Sequence, residues 1–330
     1  MSTARASPSR RSPRGRTMLI AAGGMMLAAG AVVATAFSAT MRKAEHRLAG
    51  ASDIVGTRFG DLEYAVRGEG PPIMMIHGTG GGFDQGLSFG HGLIERGYRV
   101  IAPSRFGYLR SDFPVNPSSE NQADALVELL DHLGIDRLPV VAGSAGALAA
   151  IQFALRHPQR CSLLVLLVPA ANVTGLDPVE MTATQKLFVE QALGSDFVYW
   201  SARRIAPKQL VANLLATDPH LLKTVSPGER ARAYRILDEM LPISTRSRGL
   251  LNDARLAGAS HPVDYRKIRA PTLILSVEDD RFGTAATARY LATVIPDATL
   301  VILERGGHIW LGADETVSDH VARFIRARGS

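Results

Sequence analysis

LPVVAGSAGALAAIQFALRH, residues 138–157, joins an apolar run to a turn of small residues and then to an Ala-rich helical stretch, and its reading decides the fold. At its centre stands Ala142-Gly143-Ser144-Ala145-Gly146. A strand that ends in a sharp, strained turn with serine at the apex needs small residues two positions to either side, so that strand and helix approach closely. Ala142 and Gly146 meet that need. Such a turn lifts the Ser144 hydroxyl above the carboxyl edge of a sheet, while the helix start, with the Ala145 N–H, points donors at any oxyanion formed there. The plain alternative is an ordinary strand-to-helix turn of small residues; the strand before and the helix after weigh against it.

Working outward, the same kind of apolar run recurs at PIMMI (72–76), YRVIAP (98–103), SLLVLLVP (162–169), PTLILSV (271–277) and ATLVILE (298–304). Near-continuous apolar strands are what a mostly parallel sheet, buried on both faces, requires. Helical patterns lie between them, over Glu120–Leu133, Ala147–His157, Ala285–Val294 and Thr316–Ala327. The alternation predicts a doubly wound α/β sheet. It is preceded by a hairpin, IVGTRF and LEYAVRG about the pair Gly60-Asp61, and interrupted from about Ala171 to Pro262. There only helix-like segments such as MTATQKLFVEQAL and GERARAYRILDEML occur, so the chain predicts a core over 54–170 and 263–328 with a helical cap over 171–262.

Three further groups fall at strand ends. His77-Gly78-Thr79-Gly80-Gly81-Gly82 follows PIMMI, and its glycines let backbone come close to a ligand, so that the Thr79 N–H joins that of Ala145 as an oxyanion hole. The glycine spacing is neither G-x-G-x-x-G nor G-x-x-x-x-G-K-[ST], which argues against a nucleotide loop; a merely flexible loop is the other reading. A serine is a poor nucleophile without a base, and the base needs an orienting acid. Glu278-Asp279-Asp280-Arg281 follows one late strand and Arg305-Gly306-Gly307-His308 the next. Both leave the edge where Ser144 stands, and open α/β sheets build their sites there. Of the nine histidines, His132, His157 and His320 sit in predicted helices, where a solvated or structural role is the default, and His308 is the outstanding candidate base.

Taken in order, these motifs resemble the α/β-hydrolase superfamily over roughly residues 54–328, in its capped single-domain branch of esterases, cofactor-free haloperoxidases or perhydrolases, and carbon–carbon bond hydrolases. Ser104 to Asp112, SRFGYLRSD, is similar to the family's stretch after the fourth strand. The departures are Ala142 at the first small position of the nucleophile turn and Val277 where the family has glycine before the acid. The resemblance implies a triad of Ser144, His308 and Asp280, the pattern pointing to Asp280 over Asp279. Serine at the apex excludes the aspartate-nucleophile branches. The implied reaction is hydrolysis of a small-molecule ester through an acyl-enzyme on Ser144, with no metal or organic cofactor. The same triad serves a carbon–carbon hydrolase or a perhydrolase, and the same fold serves a non-catalytic, membrane-tethered binding protein. Phe197, Tyr199 and Trp200 are expected either to line the substrate pocket or to pack the cap, and Met74 and Met75 to be core.

Composition sets the remaining bounds. With 330 residues, 46% apolar and 21% charged, the chain can bury a full core. Its net charge of +6 is a property of the amino terminus, since the five arginines of residues 1–16, met by no acid, leave only +1 for the rest. A nucleic-acid surface on the body is thereby disfavoured. Cys161 is the sole cysteine, which rules out an internal disulfide. After the basic tail, Thr17–Thr40 is uncharged and reads as a membrane anchor or a cleaved export signal, followed by a linker over 41–53. Either reading of 17–40 puts the catalytic body outside the cytoplasm.

Overall fold

The computed structural model describes residues 13–173, 194–259 and 263–328, with side chains from residue 28 onward. It contains two compact units, Met1–His46 and Arg47–Ser330. Where described, the first is a helix that starts at Pro13 and runs on to Leu48. The expected linker over 41–53 is therefore helical as far as Leu48, because Met41, Lys43, Ala44, Glu45 and Arg47 are good helix formers. The expected anchor or signal over 17–40 lies in this same helix. Among the described residues, however, no helix is long and apolar enough to cross a membrane. Over 28–40 six of the thirteen residues are alanine, a weakly apolar side chain, and Arg42 and Lys43 follow shortly after Ser38 and Thr40. The side chains of 17–27 lie outside the described residues.

The second unit is built on eight strands: β1 (Asp53–Thr57), β2 (Gly60–Arg67), β3 (Pro72–Ile76), β4 (Arg99–Pro103), β5 (Leu138–Gly143), β6 (Cys161–Leu167), β7 (Thr272–Val277) and β8 (Ala298–Leu303). They lie in the order β1-β2-β4-β3-β5-β6-β7-β8. β1, β2 and β4 are antiparallel neighbours, and every pair from β4 to β8 is parallel. The hairpin turn is Arg58-Phe59, not Gly60-Asp61: Gly60 pairs with Thr57 and begins β2 at φ 104°, a conformation glycine adopts without strain.

Alternate residues of the central strands enter two cores. Met74, Ile76, Val140, Ala142 and Leu166 face the helices Ser119–His132, Gly146–Arg156 and Thr284–Val294. Met75, Val141, Val165, Leu167 and Leu275 face the helix Asp314–Arg328 through Val317, Val321 and Ile325. Each such side chain, fully buried, contributes about 1.5–3 kcal/mol, which is why these strands read as unbroken apolar runs. β8 is the exception. It is the sheet's edge, and Thr299 and Leu300 are exposed although its sequence is as apolar as the rest. The helix Ser119–His132 starts one residue before the expected Glu120, where the Ser118 hydroxyl accepts the Asn121 N–H at 3.2 Å.

Between β6 and β7 the chain leaves the sheet. The described residues of 171–262 form helices Asp196–Ile205, Pro207–Asn213, Pro227–Glu239 and Ser247–Ala257 and no strand. Residues 181–193 of the predicted segment MTATQKLFVEQAL lie outside the described residues. Tyr199 is fully buried and donates its hydroxyl to the Leu237 carbonyl at 2.7 Å, and Trp200 is stacked on Phe197. Tyr199 thus packs the cap's own helices together.

Candidate active site

Ser144 follows directly on β5 with φ at 51°. A side chain in that region costs on the order of 1 kcal/mol or more, and the surroundings must hold it there. Its N–H donates to the Leu167 carbonyl at 2.9 Å, and its own carbonyl accepts from Ala147 at 3.0 Å and Ala170 at 3.1 Å. The small residues do what the sequence reading required. A Cβ on Gly146 would lie 2.5 Å from the His77 carbonyl oxygen and 2.8 Å from that of Ile76, so only glycine lets the helix pass β3 here. A Cβ on Gly78 would lie 3.1 Å from Ser144 Cβ, which places the backbone of the 77–82 loop against the serine.

His308 is presented by a turn after β8 in which Gly306 and Gly307 both have positive φ, 139° and 61°. Its imidazole bridges two partners. Nε2 lies 2.8 Å from Ser144 Oγ and Nδ1 lies 2.8 Å from Asp280 Oδ2. The Phe282 ring stands edge-on to the imidazole with centroids 4.8 Å apart. Asp280, three residues past β7, is 5% exposed and also accepts the Phe282 N–H at 2.9 Å and the Thr284 hydroxyl. Burial alone pushes this carboxyl up, but the His308 charge and these donors together hold it below the ordinary carboxylate range, so it stays ionised beside the imidazole. Asp279 is used differently: its Oδ1 accepts the Gly307 N–H at 2.7 Å and so braces the turn that carries His308.

The structure therefore brings Ser144, His308 and Asp280 together from the ends of β5, β8 and β7. Thr79 and Ala145 lie in the loop and the helix start that flank the serine, and among the described residues neither backbone N–H has an acceptor. A serine hydroxyl bonded to an imidazole that is bonded in turn to a buried carboxylate is an arrangement for moving the hydroxyl proton onto nitrogen as the oxygen attacks.

Several buried groups around the site carry no local sequence signal. Arg246 of the cap, with no exposed side-chain surface, places Nη2 2.7 Å from Asp84 Oδ2 and Nη1 on the Gly81 carbonyl. Arg47 also pairs with Asp84. Burial raises the Asp84 carboxyl, and the two guanidiniums outweigh it to bring the pKa down to about 2. Asp253, another cap residue, chelates Arg105. Arg105 and Tyr108 lie in the Ser104–Asp112 stretch, whose similarity to a known motif marked the segment but not what these side chains touch. Asp253 sits in a helix and Arg246 in the turn just before it, with nothing nearby to mark them.

Comparison with known proteins agrees with this fold. A family model described as alpha/beta hydrolase fold matches residues 71–311. The chain is 31% identical over 270 residues to the uncharacterized hydrolase YcgS of Bacillus subtilis (strain 168), covering 77% of this chain and 91% of that protein. It is 27% identical over 264 residues to a 2-hydroxy-6-oxo-6-phenylhexa-2,4-dienoate hydrolase of Comamonas testosteroni, covering 77% and 87%. Among solved structures it is similar to an alpha/beta hydrolase fold protein from Nakamurella multipartita, with TM-score 0.69 and 26% identity over 84% of this chain and 99% of that one. With the fold, the family model and these relatives in agreement, the chain belongs to the α/β-hydrolase family and is a hydrolase.

Proposed function

We propose that the protein hydrolyses carboxylic esters through an acyl-enzyme on Ser144. The observation that carries this reading is the position of His308, 2.8 Å from both the Ser144 hydroxyl and the Asp280 carboxylate. Ser144 Oγ attacks the ester carbonyl while His308 Nε2 takes its proton, and Asp280 holds the resulting imidazolium in place. The N–H groups of Thr79 and Ala145 receive the oxyanion, a contribution of about 3–4 kcal/mol to the barrier where such donors have been removed. His308 then hands its proton to the departing alkoxide. Water, deprotonated by the same imidazole, releases the acid and restores the serine.

A second reading uses the same triad on a carbon–carbon bond, and the Comamonas relative favours it: its named substrate is a ketone with no ester bond to cleave. One assay separates the two. Purified protein is tested on a series of p-nitrophenyl esters beside a 2-hydroxy-6-oxo-dienoate, with fluorophosphonate labelling of wild type and Ser144→Ala. Turnover of esters with label lost in Ser144→Ala supports the first reading. Turnover of the dienoate alone moves the function to the second, and unchanged labelling of Ser144→Ala removes the assigned nucleophile from both.

We also propose that the body is exported, on the strength of the five arginines that precede the uncharged stretch 17–40. Full-length protein recovered in the soluble cytosolic fraction contradicts this.

A further inference from the structure

We infer that Asp253, Arg105 and Tyr108 form a positioning unit that aims and strengthens the Thr79 N–H, so that the cap takes part in stabilising the oxyanion as well as enclosing the site. The inference rests on the reading of Thr79 as an oxyanion donor.

The argument turns on one peptide plane. The Thr79 N–H belongs to the same peptide as the Gly78 carbonyl, and in a trans peptide the two point in opposite directions. The Gly78 carbonyl accepts three hydrogen bonds, from Arg105 Nη2 at 3.1 Å, from His77 Nδ1 at 2.7 Å and from the Gly81 N–H at 3.3 Å. Fixing that oxygen fixes the N–H. The direction of the His77 bond is settled by its other nitrogen: Nε2 accepts the Arg105 backbone N–H at 2.9 Å, so the proton is on Nδ1. His77 is wholly buried, and burial together with the Arg105 charge holds its pKa well below the usual value, which keeps the ring in this neutral form. A guanidinium on the carbonyl also polarises the amide, and a polarised amide is a stronger donor at its N–H.

Arg105 is held in turn from the cap. Asp253, 2% exposed on the helix Ser247–Ala257, takes Arg105 Nη2 on Oδ2 at 2.7 Å and Nη1 on Oδ1. The same Oδ2 accepts the Tyr108 hydroxyl at 2.6 Å and the Thr79 hydroxyl at 3.1 Å. Tyr108 passes the constraint on, since its oxygen accepts the Gly80 N–H at 3.3 Å. One carboxylate thus secures the side chain of Thr79, the peptide before it and the peptide after it. Removing the carboxylate leaves a guanidinium buried without its counter-ion, and Gly78 is then held by His77 and Gln85 without a fixed cation on its carbonyl.

The test is made on the full chain with Asp253→Asn, Tyr108→Phe and Thr79→Val. Two readouts are compared: kcat and KM on a p-nitrophenyl ester, and calorimetric affinity for an aryl boronic acid, whose tetrahedral adduct on Ser144 puts an oxygen where the oxyanion forms. For Asp253→Asn the expected result is a fall of about 10²-fold in kcat with KM changed less than about threefold, and a loss of boronate affinity by a similar factor. Tyr108→Phe, which removes the hydroxyl's two contacts, and Thr79→Val, which removes one, are expected to lose about three- to tenfold in both measures, and they carry the test if Asp253→Asn does not fold. Folded variants that keep kcat and boronate affinity within twofold of the wild type overturn the inference, as does a loss of melting temperature with neither readout changed. These outcomes leave the hydrolase reading standing. A wild type that neither turns over esters nor takes the fluorophosphonate label at Ser144 overturns that reading and this inference with it.

Discussion

His308 Nδ1 meets Asp280 Oδ2 at 2.8 Å, while the adjacent carboxylate, Asp279, points at the Gly307 N–H. Two neighbouring acids therefore have separable duties, one on the imidazole and one on the turn that carries it. Asp280→Asn is expected to lower kcat on an ester by about 10³–10⁴-fold with little change in KM, because the amide no longer stabilises the imidazolium. Asp279→Asn is expected to cost less than about tenfold, since its amide oxygen still accepts the Gly307 N–H and only the charge is lost. Steady-state kinetics on the two single variants check the assignment, and an equal loss in both contradicts it.

The approach of Gly146 to β3 makes a second prediction. Because a Cβ there would meet two backbone oxygens that cannot move alone, Gly146→Ala is expected to destabilise the protein by about 1–3 kcal/mol. At this chain length that is a loss of roughly 1.5–2 °C in Tm per kcal/mol. Thermal unfolding measures it, and an unchanged Tm shows that the helix yields more readily than the packing implies.

Glu239 supplies a dependence on pH. Burial, and then the Asp84 charge, push its carboxyl up from 4.5 to about 7, against the pull of Arg47 and Arg235. The folded state therefore binds this proton more tightly than the unfolded chain does. The stability it contributes is complete below about pH 4.5 and drains away as pH rises through 7. Glu239→Gln keeps the neutral shape at every pH. The variant and wild type are expected to melt alike at pH 5, and at pH 8 the variant is expected to be more stable, by up to roughly 3 kcal/mol. Melting curves across that range decide, and a constant difference between the two proteins refutes the assignment.

The buried pair of Arg246 and Asp84 gives a fourth. Arg246→Ala is expected to cost about 3–5 kcal/mol, since it leaves Asp84 buried with Arg47 as its remaining cation. Replacing both partners together, as Arg246→Met with Asp84→Leu, is expected to cost less than the sum of the single changes. Urea denaturation of the two single variants and the double variant tests this, and strict additivity counts against a direct pairing.

Most of the sheet was legible because a strand buried on both faces leaves an unbroken apolar run, and the grouping of Ser144, Asp280 and His308 was legible because each lies within five residues of the end of such a run. β8 misled for the same reason: ATLVILE is as apolar as the inner strands, yet its place at the edge follows from the order of the whole sheet. The hairpin turn slipped by two residues because Gly60 suits a turn and also suits a strand start at positive φ. The anchoring groups stayed hidden for a deeper reason. Asp253 on its helix and Arg246 in the turn before it are ordinary polar residues, and their meaning comes from Arg105 and Asp84, more than a hundred residues away in the chain.

β6 and β7 are side by side in the sheet, Leu166 opposite Ile274, although over a hundred residues of chain separate them. The insertion accordingly departs and returns through a single seam, and the sheet's hydrogen bonding closes without it. This makes the protein modular in a restricted sense. A lid transplanted from a relative can be spliced at that seam without disturbing the strands, but the graft must bring equivalents of Arg246 and Asp253. Otherwise Asp84 keeps only Arg47 and Arg105 loses its counter-ion, so segments are exchangeable at this seam only where they carry the same two plugs.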